Sequence, residues 1–395
     1  MKIGLLGVDD PSDIRTYSGT PFHLAHYLRR AGHEVAILGP YKLRRGRVKI
    51  EDRLRRIVTG KQLNPERHPA IAGQYHSIVN EYLDRHPDLD VMLAMSPFCI
   101  AGVRVPVPLI CWGDTTFAGV LGAYDRYFYH QLSRGTIAQC HRTEQLALSS
   151  CDVAIFSSQW AANVARRNYA IAQEKVRVIT YGANVLDAPN EEEIRSFIAR
   201  RSRKTIRMLL IGANWQRKGV DQAIEVTSAM RKRGLDAHLD VLGCLPPAQY
   251  RLPEYVSILG KFSKATKEGR SQFAELIGTS HLLILPTVAE CAAVVLAEAS
   301  AFGVPVLATD VGGNSSLVYA GINGSLFPLD AAPKQWAMEG ERLAGSGWAA
   351  YEEVAWRAAR FFSKELSWER SVTRFETVVQ DLLSVREEAV LSVSA

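Results

Sequence analysis

The sequence predicts an α/β protein made of two doubly wound parallel-sheet lobes facing across a cleft. Three observations carry this. Short β-branched or leucine-rich runs alternate with longer segments of helical apolar spacing. The alternation comes in two series, separated by a polar stretch over 187–204. The chain's 395 residues also exceed what one hydrophobic core usually serves.

The first series opens with a buried strand over Lys2 to Val8. Ser18-Gly19-Thr20-Pro21 then starts a helix, because Thr20 can cap and proline suits the first helical turn. Phe22, Ala25 and Leu28 recur at helical spacing, Gly32 ends the helix, and Glu34 to Leu38 is the second strand. Further strands are expected at Val91 to Met95, Pro108 to Trp112, Val153 to Ser157 and Val176 to Thr180. Residues 187–204 hold Pro189, Glu191 to Glu193 and a basic run ending at Lys204, which reads as a partly helical connector. The second series has strands at Arg207 to Ile211, His238 to Leu242, Val256 to Leu259, His281 to Leu285 and Val304 to Ala308. In the tail, Trp368, Val372, Phe375, Val379 and Leu382 line one face of a helix over about 366–383. The expected domains are 1–186, the connector 187–204 and 205–365, with the tail helix packing back on the first domain.

Composition narrows the function classes. Apolar residues make up 47% and charged residues 22%, the balance of a folded soluble chain. A net charge of +6 is too small, if spread evenly, to imply a nucleic-acid binder. The six cysteines form no C-x-x-C pair and sit in apolar or small-residue contexts, which suits buried thiols in a reducing compartment. No apolar run reaches the length of a membrane span, and the N-terminus does not read as a signal peptide. A cytoplasmic location is expected, with membrane contact at most peripheral on the inner face.

The most informative stretch runs from Leu285 to Ala299. A strand ends at Leu285, a loop carries Glu290, and a helix is expected to begin near Ala292. Ligands of open parallel sheets bind at this carboxyl end of the strands, and a helix start offers unpaired N–H groups. Eight residues at the helical rise would set Glu290 and Glu298 about 12 Å apart along an axis, a length that suits a ligand with hydroxyls at both ends. The bland reading is a dipole-favoured acid at a helix entry and a solvated one on its face. Ala, Val and Leu around Glu298 speak against a solvated face.

The Glu-x7-Glu segment and the following Ala301-Phe302-Gly303-Val304-Pro305 through Gly312-Gly313 resemble glycosyltransferase family 4, which has the GT-B fold of two Rossmann-like lobes. The resemblance extends to Gly212-Ala213-Asn214-Trp215-Gln216-Arg217-Lys218-Gly219-Val220 and to Gly321-Ile322-Asn323-Gly324. More loosely, it takes in the Gly19 loop and Gly32-His33-Glu34-Val35. It implies a retaining transferase that moves a sugar from a nucleoside diphosphate to a hydroxyl acceptor; a lipid-linked, saccharide or small-molecule acceptor is expected, with no metal and no cofactor. It also implies that Glu290 holds the transferred sugar, Glu298 the ribose, Arg217 and Lys218 the diphosphate, and backbone near Lys261 and Phe262 the base. Backbone of Ala292, Ala293 and Val294 is expected at the donor sugar. Two positions depart from the family pattern. Gly-Arg is replaced by Gly212-Ala213, which leaves Arg217 as the substitute cation. Ala292-Ala293 replaces an aromatic-Gly pair, which puts the backbone contacts to the sugar in doubt.

The cations have a physical reason of their own. Cleaving a sugar–phosphate bond leaves charge on a diphosphate, which preorganised Arg and Lys stabilise, Arg as a fork and Lys as a point charge. The alternative is a solvated surface pair. Gly19 allows backbone to approach an anion at a helix start, or simply packs; His23 and His26 on the same helix read as structural. Asp114, after the strand ending at Trp112, can orient an acceptor hydroxyl and accept its proton, or cap the next helix. Asp88-Leu89-Asp90 resembles an Asp-x-Asp metal motif but precedes a strand, so it reads as a loop, and no other spacing suggests a metal.

Lys42 to Arg67 holds ten basic and three acidic residues. Within it, Ile50, Leu54 and Ile57 lie at helical spacing among Lys49, Arg53, Arg55 and Arg56. Such a helix either docks its apolar stripe on the sheet or lies on an anionic membrane. Two rivals to transfer stand open: a nucleotide-sugar epimerase or phosphorolytic enzyme on the same plan, which needs no separate acceptor, and a non-catalytic nucleotide-sugar-binding protein.

Overall fold

The structure, a computed structural model, describes residues 1–124 and 129–394, with side chains to residue 386. It divides into two compact units, Met1–Thr180 with Ser371–Ala395, and Tyr181–Arg370.

The first unit carries β1 (Lys2–Leu6), α1 (Thr20–Arg30), β2 (Glu34–Leu38), α2 (Gly46–Thr59), α3 (Pro69–Arg85), β3 (Val91–Ala94), β4 (Leu109–Gly113), α4 (Phe117–Tyr124), α5 (Arg134–Ser150), β5 (Val153–Phe156), α6 (Gln159–Asn168) and β6 (Val176–Val178). Its sheet runs β2-β1-β3-β4-β5-β6, with every pairing parallel. A parallel sheet covered on both faces has no solvent side, so its strands read as apolar runs instead of alternating ones. All four residues of β3 are fully buried.

The second unit carries α7 (Glu191–Arg200), β7 (Ile206–Ile211), α8 (Val220–Lys232), β8 (Ala237–Leu242), β9 (Val256–Ile258), α9 (Lys267–Gly278), β10 (Leu282–Leu285), α10 (Val295–Ala301), β11 (Val306–Thr309), β12 (Gly324–Phe327), α11 (Pro333–Ala344) and α12 (Trp348–Phe361). Its sheet is also parallel, in the order β12-β11-β10-β7-β8-β9. In the first sheet the strand order reverses between β1 and β3; in the second it reverses between β7 and β10.

The last helix, α13 (Trp368–Ser394), starts in the second unit and continues in the first. Phe375 stacks on Trp112 at 5.8 Å, Glu376 pairs with His33 at 2.7 Å, and Arg386 reaches Asp152 at 2.9 Å. No helix among the described residues is long and apolar enough to cross a membrane.

Three regions depart from the sequence reading or complete it. The stretch 187–204, expected as a partly helical connector, is helical over Glu191–Arg200 and lies within the second unit. Asn190 and Glu193 form a reciprocal capping box for α7, and the acids 191–193 sit at the positive end of its dipole. Buried Arg201 donates to the carbonyls of Gly278, Phe302 and Gly303 and to the Tyr351 hydroxyl. The sixth strand of the second sheet, β12, goes unread in the sequence because it is short and opens at Gly324, whose φ is 159°. Finally, α2 does not dock its apolar stripe on the sheet: Ile50, Leu54 and Ile57 face solvent.

Candidate active site

The reversal of strand order in the second sheet leaves a crevice beyond the carboxyl ends of β7 and β10, where open α/β sheets bind ligands. The loop after β7 supplies Arg217 and Lys218, and the loop after β10 supplies Glu290. Asn214 shapes the first loop by accepting the Arg217 N–H at 2.8 Å. Arg217 carbonyl accepts the Val288 N–H at 2.9 Å and the Thr287 hydroxyl at 2.9 Å, which ties the two loops together.

These ties bring three side chains to one carboxylate oxygen. Lys218 Nζ lies 2.5 Å from Glu290 Oε1, Arg217 Nη1 lies 2.8 Å from it, and Thr287 Oγ1 lies 3.1 Å from it. Arg217 also donates to Ala289 carbonyl at 3.0 Å. Glu290 and Lys218 are 6% and 8% exposed, so the ion pair is largely withdrawn from water while its edge stays open. Glu290 Oε2 takes none of these three bonds.

Two glycines permit this approach. A Cβ on Gly219, whose φ is 68°, would stand 2.0 Å from Pro286 carbonyl oxygen. A Cβ on Gly312, whose φ is 55°, would stand 1.7 Å from the carbonyl oxygen of Glu290 itself. The turn at Gly312-Gly313 therefore supports Glu290 from below, and Gly313 N–H donates to Cys291 carbonyl at 2.8 Å.

Glu298 is buried but forms a separate pair. Its Oε1 accepts from Lys264 Nζ at 2.7 Å, and that ammonium lies 4.0 Å from the centroid of the Phe273 ring. The helix expected from Ala292 begins only at Val295. Glu290 and Glu298 are therefore not eight helical steps apart, and five residues of loop intervene from Glu290 to Val294. Val294 N–H is spent on Ala292 carbonyl at 3.1 Å, so that donor closes a turn instead of pointing outward. Ala293 is buried and Ala292 half-buried. Lys261 is exposed and Phe262 half-buried in the loop after β9.

In the first unit, Asp114 follows β4 and is half-buried. It does not adjoin the next helix: α4 starts at Phe117, whose N–H donates to Glu144 Oε1 at 3.0 Å. Burial raises the Glu144 carboxyl above its usual range, opposed by Arg67, whose guanidinium is 3.4 Å away. Gly19 is the buried residue from which α1 starts, His23 is buried, and His26 is half-buried. Beyond β1 and β3 a cavity of about 60 Å³ is lined by Gly7, Asp9, Thr16, Tyr17 and Ser96 among others. A larger cavity, about 330 Å³, opens at the amino ends of β4 and β5 beside Leu109, Asp152 and Arg386, away from all the candidate residues. Asp88 and Asp90 form a loop held by Lys2, whose Nζ reaches Asp88 and whose N–H reaches Asp90, both at 2.6 Å.

Sequence reasoning missed Lys264, Thr287, Asn214 and the Arg67–Glu144 pair. Only Asn214 carried a local signal, since an Asn three residues before the N–H it accepts is a common turn. Lys264 lies 34 residues from Glu298, and nothing local announces that pairing.

Two family models cover most of the chain. Residues 21–185 match Glycosyltransferase Family 4, and residues 205–345 match Glycosyl transferases group 1. The chain belongs to the family 4 glycosyltransferases. Among curated relatives, D-inositol 3-phosphate glycosyltransferase of Arthrobacter sp. (strain FB24) is 27% identical over 175 residues, 42% of this chain and 40% of the relative. The chain spans less than half the length of the curated relatives it matches. Among solved structures, sucrose-phosphate synthase from Thermosynechococcus elongatus has a TM-score of 0.69 at 16% identity over 98% of this chain and 100% of that one. Anabaena HepE in complex with UDP-glucose has a TM-score of 0.61 at 15% identity, over 98% and 100% of the two chains. These likenesses show the fold: this family 4 glycosyltransferase has the GT-B architecture, with a parallel sheet in each unit.

Proposed function

We propose that the chain is a retaining glycosyltransferase that moves a sugar from a nucleoside diphosphate to a hydroxyl acceptor. The observation that carries this is the meeting of Arg217, Lys218 and Glu290 at the reversal point of the second sheet. Two cations sharing one carboxylate oxygen can turn to a diphosphate and stay paired there, and the carboxylate they release can take hydrogen bonds from hydroxyls of the sugar. Glu298 would hold the ribose, and backbone around Lys261 and Phe262 the base. HepE, crystallised with UDP-glucose, supports a nucleotide-sugar donor.

In the proposed step the bond between the anomeric carbon and the β-phosphate oxygen breaks, and the oxygen keeps the electron pair. The acceptor oxygen bonds the same face of that carbon, and its proton passes to the departing phosphate. Arg217 and Lys218 lower the barrier by balancing charge as it develops on the phosphate. They supply two positive charges for that purpose, so the reading invokes no metal and no cofactor. Asp114 would orient the acceptor hydroxyl in the first unit. The acceptor is a lipid-linked, saccharide or small-molecule hydroxyl, and a cytoplasmic location suits six free thiols.

The test is product analysis by mass spectrometry, with nucleoside-diphosphate sugars offered alone and with acceptor panels. Transfer requires a glycosylated acceptor and a free nucleoside diphosphate in equal amounts. A changed sugar with donor alone would mean an epimerase. Binding without any product would mean a nucleotide-sugar-binding protein.

A further inference from the structure

We infer that helix α2 seats this chain on an anionic lipid surface, through an outward apolar stripe of Ile50, Leu54, Ile57 and Val58 bordered by basic side chains. An ordinary surface helix buries its apolar face and shows water its polar one. Here the arrangement is reversed. Ile50, Leu54, Ile57 and Val58 are 64%, 58%, 72% and 79% exposed, and the one buried residue of the helix is Val48. At 3.6 residues per turn the four exposed side chains fall within an arc of about 100°.

The polar side chains do the anchoring instead. Asp52 Oδ1 accepts the Leu63 N–H at 2.7 Å, Arg55 Nη1 donates to Ser133 Oγ at 3.1 Å, and Glu51 lies 3.4 Å from His68. Asp52 is thereby turned toward the protein, while Glu51, its side chain 45% exposed, flanks the outward face beside His68. Lys49 and Arg53 border the stripe, Arg47 stands in the first turn, and Lys42 and Arg44 precede the helix, all five exposed. The outward surface thus combines four aliphatic side chains with five exposed cations, against one flanking acid, Glu51, that lies beside His68.

That combination decides the occupant. Two copies joined through the same face would oppose two surfaces that each carry five exposed cations and one flanking acid, a net repulsion. A nucleic acid would use the cations and leave four aliphatic side chains in water. The interface of an anionic bilayer uses both, since the stripe enters the acyl boundary while the cations meet the headgroups. The inference stands on the helix alone, whatever reaction the chain performs.

The experiment sediments the full chain with vesicles of phosphatidylcholine, and with vesicles of phosphatidylcholine and phosphatidylglycerol in equal parts. Binding is expected only to the anionic vesicles, weakening as salt is added. I50Q/L54Q/I57Q should lower the partition coefficient at least about tenfold, and K49E/R53E about fivefold or more per residue. The melting temperature should hold in both variants, because these side chains face water already. Wild-type protein left in the supernatant would overturn the inference, as would a triple variant that binds equally well. A dimer by light scattering that the triple variant splits, with no vesicle binding, would assign the stripe to a second copy and also overturn it.

Discussion

The crevices at the two strand-order reversals have the same topology and opposite chemistry. In the second unit, loops after β7 and β10 gather Arg217, Lys218 and Glu290 within hydrogen-bond distance. In the first, loops after β1 and β3 line a small cavity whose one charged residue is Asp9. The backbone supplies a crevice in both cases, because a parallel sheet that winds outward in two directions must leave one. What the crevice can hold is decided by a few loop residues and by the glycines that let those loops touch. A charged crevice suits a diphosphate, and a nearly uncharged one suits a ligand recognised through hydroxyls.

The contrast extends to buried cations, and there the largest effect is expected. Arg201 in the second unit is held by three carbonyls and a hydroxyl, with no carboxylate among them, whereas Arg67 in the first faces Glu144. R201M should cost about 3–5 kcal/mol in urea unfolding, because four acceptors lose their donor. A cost under about 1 kcal/mol would mean water replaces the guanidinium easily. Next, E290Q should lower transfer about 10²–10³-fold while nucleoside-diphosphate affinity holds or improves, since both cations are then released from their carboxylate. Equal losses in both would make Glu290 a structural anchor only.

A pH effect of similar size is expected from His281. Its Nδ1 accepts the Arg207 N–H at 3.1 Å and its Nε2–H donates to Ser202 carbonyl at 2.8 Å, so the neutral ring is built in. Burial pushes its pKa down to about 4. Between the unfolded value near 6.5 and that folded value, the unfolded chain binds a proton that the folded chain does not. Stability should therefore fall as pH drops through this window, by about 3 kcal/mol in all. H281Q should lose this part of the slope in urea unfolding between pH 7 and about pH 4.5. The smallest effect is G312A, which must displace Glu290 carbonyl and should cost about 1–3 kcal/mol along with part of the transfer rate.

Much of this was legible in the sequence. The six strands of the first sheet and five of the second stand out as short runs flanked by turns, and the central ones are wholly apolar because both their faces are buried. Glu290, Arg217 and Lys218 were legible as loop residues at strand ends. The start of α10 was not, since the apolar run Ala292-Ala293-Val294-Val295 looks helical throughout and only the tertiary turn at Gly312-Gly313 holds its first part as loop. Lys264 escaped because its partner is distant in sequence. The direction of the α2 stripe escaped because periodicity identifies an apolar face without saying what it faces.

The proposed function stands on Arg217 and Lys218 forming a diphosphate site. Calorimetric titration of the wild type and K218A with a nucleoside diphosphate and the matching monophosphate tests it most directly. The wild type should prefer the diphosphate at least about tenfold, and K218A should lose most of that preference while keeping its monophosphate affinity. An unchanged preference in K218A would contradict the account.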